Sequence, residues 1–186
     1  MIYELPTSIE VNGIDYKIRT DYRDILDIMV AFGDPDLEPE EKVYVCLYIL
    51  YIDSGRIPNT DLEEAYEKAV LFLNCGVENN SNKSKKRTMD WEQDAPLIFP
   101  AVNKVAGFEV RSVEYMHWWT FCGLFMEIKG TSYSTVLGIR NKKAEGKKLE
   151  QWEKDYWRAN KETCVLKEKL TTEEKEEKER LLAILG

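Results

Sequence analysis

Residues 111 to 128 read R-S-V-E-Y-M-H-W-W-T-F-C-G-L-F-M-E-I, and this run constrains the fold more than any other. Trp118 and Trp119 are adjacent, and apolar residues fall on nearly every side of the helix such a segment would form. A helix that is hydrophobic all round belongs inside a protein. The run therefore predicts a buried helix from Ser112 to about Ile128, with Trp118, Trp119, Phe121 and Phe125 in the core. A second apolar run, Val43 to Ile52, is too short to cross a bilayer and has the length of a buried helix. It adds Leu47 and Leu50 to the expected core. These two segments are expected to form the central helix pair.

Shorter signals surround them. Ile9, Val11, Ile14, Tyr16 and Ile18 nearly alternate, and Asn12-Gly13 suits a two-residue turn whose central positions both need positive φ. Residues 7 to 19 thus read as a β-hairpin. An isolated hairpin is marginal, so it must lie on the helices. Asp21 can cap a helix through Phe32. Pro39, followed by Glu40 and Glu41, opens a second helix. Thr60 to Glu63 forms a capping box for a third, with a stripe of Leu62, Tyr66, Ala69, Val70 and Leu73 and a stop at Gly76. Residues 77 to 88 are polar and aperiodic, hence a mobile loop. Asp90 would start a fourth helix with Gln93 as its reciprocal cap, and Pro100 should kink or end it. Residues 131 to 139 add a short helix.

The tail carries a different pattern. Leu149, Trp152, Tyr156, Ala159, Thr163, Leu166 and Leu170 step alternately by three and four, a helical seam of period 3.5. Thr171 and Thr172 interrupt it, and a last helix runs to Leu185. The seam can close on the core, or it can pair with a partner or a second copy of the chain. In the second case Leu149, Trp152, Tyr156, Trp157, Leu166 and Leu170 are the candidate partner-binding residues, since Trp and Tyr are favoured interface anchors. The fold expected is mainly α: a helical bundle with a small N-terminal β-hairpin and a charged C-terminal helical arm. Residues 1–141 would form the core domain and 142–186 the extension.

Charge narrows the function classes. Residues 1–80 hold 6 basic and 17 acidic side chains, which argues against wrapping nucleic acid. Lys83, Lys85, Lys86 and Arg87 form a basic patch, but no aromatic residues interleave it for base stacking. Cys46, Cys75, Cys122 and Cys164 make no C-x-x-C pair and read as free thiols in a reducing compartment. His117, the sole histidine, has no nucleophile motif to serve. Asp90, Glu92 and Asp94 could bind a metal or transfer protons, yet they occupy a helix start where acids are favoured anyway. No phosphate-binding or dinucleotide motif is present, no cofactor is implied, and no signal peptide or membrane span is visible. The chain is expected to be no enzyme.

D-W-E-Q-D-A-P-L-I-F-P-A (Asp90 to Ala101), Y-M-H-W-W-T-F (Tyr115 to Phe121) and V-L-G-I-R (Val136 to Arg140) resemble the bacteriophage gene-product-fifteen family. The resemblance covers about residues 15 to 165. Members look like products of tail-morphogenesis gene clusters, encoded between the tail-tube and tape-measure genes. That placement implies a tail assembly chaperone in the host bacterial cytoplasm. Its partner would be the phage tape-measure protein or another tail protein. Alternatives are a structural subunit kept in the tail, or a nucleic-acid-binding regulator using Lys83 to Arg87. Pro96 and Pro100 depart from the family, which should have unbroken helix there. The resemblance brings no catalytic residues.

Overall fold

Local turn chemistry builds the N-terminus. In the computed structural model, which describes residues 4–78 and 86–185, β1 (Ser8–Val11) and β2 (Ile14–Lys17) pair antiparallel, with Ile9 opposite Tyr16. Asn12 (φ 48°) and Gly13 (φ 76°) both adopt the left-handed conformation that a two-residue hairpin turn requires. Ile9, Val11, Tyr16 and Ile18 are buried, while Ile14 at the turn is exposed. The hairpin is held on the helices by Tyr16, whose ring meets Tyr51 edge-on, and by the Arg19 N–H donating to Leu50 O at 2.8 Å.

Six helices form the core. α1 (Tyr22–Phe32) starts at Asp21, whose carboxylate accepts from Arg23 N. α2 (Pro39–Leu50) opens with a capping box between Glu38 and Glu41. α3 (Leu62–Leu73) ends in a left-handed pair, Cys75 and Gly76, where Gly76 N donates to Leu71 O. α4 (Ala95–Ala106), α5 (Trp118–Met126) and α6 (Ser132–Ala144) follow. α1 packs against both α2 and α5, and the Tyr22 ring stacks on Phe121 at 4.6 Å. The central pair expected at 43–52 and 115–128 is thus corrected: the two helices are joined mainly through α1. Ile25 and Ile28, fully buried on α1, sit at that junction.

Several boundaries move for identifiable reasons. The Thr60 hydroxyl donates to Asp61 Oδ1 within a 3-10 turn at Asn59–Asp61, so the box expected at the start of α3 is not made. The buried residues of α3 are Ala65, Ala69, Phe72 and Leu73, a stripe rotated from the one expected. α5 begins at Trp118 and not near Ser112, because the preceding residues pair with the chain before α1. Tyr22 N donates to Met116 O, Trp118 N to Thr20 O, and Met116 N to the Asp21 carboxylate. α5 is also not buried all round: Trp118 and Phe121 are buried, Trp119 and Phe125 half-buried, and Met126 is exposed. α4 begins at Ala95 after a turn at 91–94, and it runs on through Pro100 to Ala106.

The C-terminal arm consists of α7 (Gln151–Ala159), the four-residue α8 (Lys161–Cys164), an extended strap at 165–170, and α9 (Thr172–Leu185). The division expected after residue 141 falls inside α6. Thr171 caps α9 through reciprocal bonds with Glu174. No helix among the described residues is long and apolar enough to cross a membrane. The residues 79–85 of the expected loop, with Lys83 and Lys85, lie outside the described residues.

Candidate partner-binding surfaces and the polar knot beneath them

Arg140, on the buried side of α6, ties four stretches of chain together. Its Nε donates to Cys164 O at 2.7 Å, and one terminal nitrogen donates to Asp94 Oδ2 (2.7 Å) and Thr88 O (3.2 Å). The other terminal nitrogen donates to Asp94 Oδ1 at 3.0 Å and Thr163 O at 2.8 Å. All five guanidinium N–H groups are therefore used. The pair is buried on both sides, with side-chain exposures of 4% and 2%. Such a pair is tolerable only when every remaining donor and acceptor is satisfied, and that condition is met here.

The knot explains why the tail is not one long helix, as the period-3.5 seam had suggested. The carbonyls of Thr163 and Cys164 are taken by Arg140, and Gln93 brackets the next residues, donating to Val165 O and accepting from Lys167 N. Asn160 adds a break by folding its side chain back onto Tyr156 O. These tertiary bonds replace the helical ones from 163 to 167. The strap then continues over the start of α4, where Lys169 meets Asp90 at 3.2 Å and Glu92 at 2.6 Å. Burial alone would raise the Asp90 carboxyl. The Gln93 N–H and the Lys169 ammonium outweigh that and hold it below its ordinary value.

The expected helix-start role of Asp90, Glu92 and Asp94 is thus corrected to anchorage. Asp94 does cap α4, but its carboxylate is spent on Arg140 and Asp90 N. Among the described residues no group of three or more His, Cys, Asp or Glu is placed to hold a metal ion. Lys169, Gln93 and Arg140 carry the site, and the sequence reading gave none of them this task. Arg140 closed a family word, which was the only available signal.

The doubled indole has a structural task as well. Trp118 Nε1 donates to Leu73 O and Trp119 Nε1 to Phe72 O, each at 2.9 Å. These are among the last carbonyls of α3, which no intrahelical donor can reach. His117 is buried and caps α5, its Nδ1 accepting from Trp119 N at 3.0 Å and its Nε2 lying 3.0 Å from Pro6 O. Both ring nitrogens are therefore engaged by backbone. The Cys46 thiol is buried and pushed up to about 12 by desolvation.

The candidate partner residues do not form one face. Leu149, Tyr156, Trp157, Leu166 and Leu170 are half-buried, and only Trp152 is largely exposed, at 58%. Lys143 Nζ sits 3.8 Å above the Trp157 ring. The buried residue of α7 is Glu153, held by Lys142 at 2.6 Å. Beyond the strap, α9 is joined to the core at its start by Thr172, which bonds the Asp36 carboxylate. Residues 172–183 are all exposed, and Leu181 and Leu182 line an open apolar groove with Leu170. In the basic patch, Arg87 is occupied by Lys167 O and by Asp90.

The sequence matches the model of the Bacteriophage Gp15 protein family over residues 1–166. The chain belongs to this family of bacteriophage proteins. The match takes in the hairpin, the six core helices, α7 and α8, and stops before α9. No curated protein and no solved structure matches the chain.

Proposed function

We propose that this bacteriophage protein is a non-enzymatic tail assembly chaperone, which in the host cytoplasm shields apolar helices of the phage tape-measure protein. The observation that carries the reading is α9: fourteen residues of helix with residues 172–183 exposed and two leucines facing water. Isolated helices of about this length are marginal in water. A helix in that state gains most of its stability from an apolar partner. Trp152 on α7 supplies a second exposed anchor of the type that dominates interface energies. The engaged nitrogens of His117 and the spent carboxylates of Asp90 and Asp94 fit a scaffold more naturally than a reaction centre.

Co-expression with the tape-measure protein of the same phage tests this. The reading expects more soluble tape-measure protein in the presence of this chain, and less of that gain when Leu181 and Leu182 are changed to Ser. Equal solubility with and without the chain contradicts it.

A further inference from the structure

Tyr44 and Tyr48 stand on the outer face of α2, 68% and 61% exposed, and Ile52 beyond the helix end is 49% exposed. A contiguous group of large side chains left in water is informative, where a single one is not. The two tyrosines are one helical turn apart, and their rings stack at 6.0 Å with planes 15° apart. Each ring restrains the other before a partner arrives, so less rotamer freedom is lost on binding. Along the same helix, exposed Glu40 and Glu41 lie one turn before Tyr44, and the cation on α2 is half-buried Lys42. At the far end, Arg19 is committed to Ile49 O (2.6 Å) and Tyr48 O (3.3 Å). Asp24, on the adjacent α1, lies within electrostatic reach of Arg19 and Asp27. The surrounding chain, residues 1–80, has 17 acidic against 6 basic side chains.

We infer that this stripe seats one basic amphipathic helix of another polypeptide. Its apolar face lies on Tyr44, Tyr48 and Ile52, and its flanking lysines or arginines meet Glu40 and Glu41. The distance from Glu40 to Tyr48 is about 12 Å at 1.5 Å per residue, and Ile52 lengthens the stripe to engage about three turns of a partner helix. A second copy of the chain fits less well, because a two-fold contact sets each acidic stripe against its own kind. The inference rests on the reading that the protein grips polypeptide helices, but not on the tape-measure protein being the one gripped.

The test uses the full chain and a labelled peptide of about 18 residues, with Leu at helical i, i+3 and i+4 positions and Lys elsewhere. A second peptide carries Glu in place of every Lys. Fluorescence anisotropy should show saturable binding of the Lys peptide, weakened by salt, and no comparable binding of the Glu peptide. Tyr44→Ala/Tyr48→Ala should weaken it by about tenfold or more with an unchanged thermal midpoint. Glu40→Lys/Glu41→Lys should weaken it without touching the rings. Absence of binding, equal binding of both peptides, or a tyrosine variant that binds as well as the native chain overturns the inference. So does a native dimer in sedimentation that the tyrosine variant dissolves, which would assign the stripe to a second copy. Peptide binding together with a failed co-expression removes the named partner and leaves the stripe. The reverse pattern removes the stripe alone.

Discussion

Two nine-residue helices of this protein each carry adjacent aromatic side chains, Trp118-Trp119 on α5 and Tyr156-Trp157 on α7, and they meet different fates. The first pair caps α3 with both indole N–H groups, and Trp118 is 2% exposed. The second stays half-buried, with Trp157 under the Lys143 ammonium, while a carboxylate, Glu153, takes the buried place on its helix. Apolar area is similar in the two cases, so area does not decide. What differs is backbone demand. The end of α3 offers carbonyls that need donors, and an indole answers that need while also filling volume. α7 meets a surface whose polar groups are already paired, and it attaches through ion pairs instead.

The contrast can be broken most sharply at Arg140, where the arm joins the core. Arg140→Met should cost about 3–5 kcal/mol in urea denaturation, because Asp94 is left as an unpaired buried charge. The double variant Arg140→Met/Asp94→Leu should recover part of that loss. If the single variant is neutral, the knot does not hold the arm. Trp118→Ala should be of similar size, about 3–5 kcal/mol, from lost volume and an orphaned Leu73 carbonyl. Trp119→Ala should cost less, in keeping with its half-buried ring.

Acid should next separate strap from core. The Asp90 carboxyl is depressed in the folded chain, so its stabilising contribution is complete above the ordinary carboxylate value near 4 and is lost as pH falls through the lower folded value. Lys169 has the opposite sign. Its ammonium is raised by Glu92 and Asp90 against the pull of desolvation, so its contribution holds below its ordinary value and fades as pH rises through the folded one. Asp90→Asn should therefore flatten the stability profile below about pH 4 and leave neutral pH less stable. An unchanged acid limb would place the acid sensitivity elsewhere. The smallest effect belongs to α7: Trp152→Ala should move stability by no more than about 0.5 kcal/mol, since its ring is mostly in water.

What the sequence disclosed follows a rule of distance along the chain. Asn12-Gly13, the Asp21 cap and the Pro39 start were legible because each acts within a few residues of itself. The Leu47, Leu50, Trp118 and Phe121 core was legible from composition. The start of α5 was not, because Thr20 and Asp21, far earlier in the chain, claim the backbone at 116–118. Nor was the knot: Arg140 and Asp94 are 46 residues apart, and Gln93 and Lys167 are 74 apart. Periodicity reports which face of a helix is apolar, and it is blind to a side chain that removes a carbonyl from the helix. The tail seam failed for that reason. The stacked Tyr44 and Tyr48 were visible as a stripe beside the apolar one, and only the packing of α2 put them outside.

Amide hydrogen exchange of the isolated protein tests most directly the claim that a locked aromatic interior carries outward helices free to grip a partner. Amides of α5 and of the last turn of α3 should exchange only through near-global opening, while those of α9 should exchange close to the rate of an unstructured chain. Slow exchange in α9 together with fast exchange in α5 would contradict it.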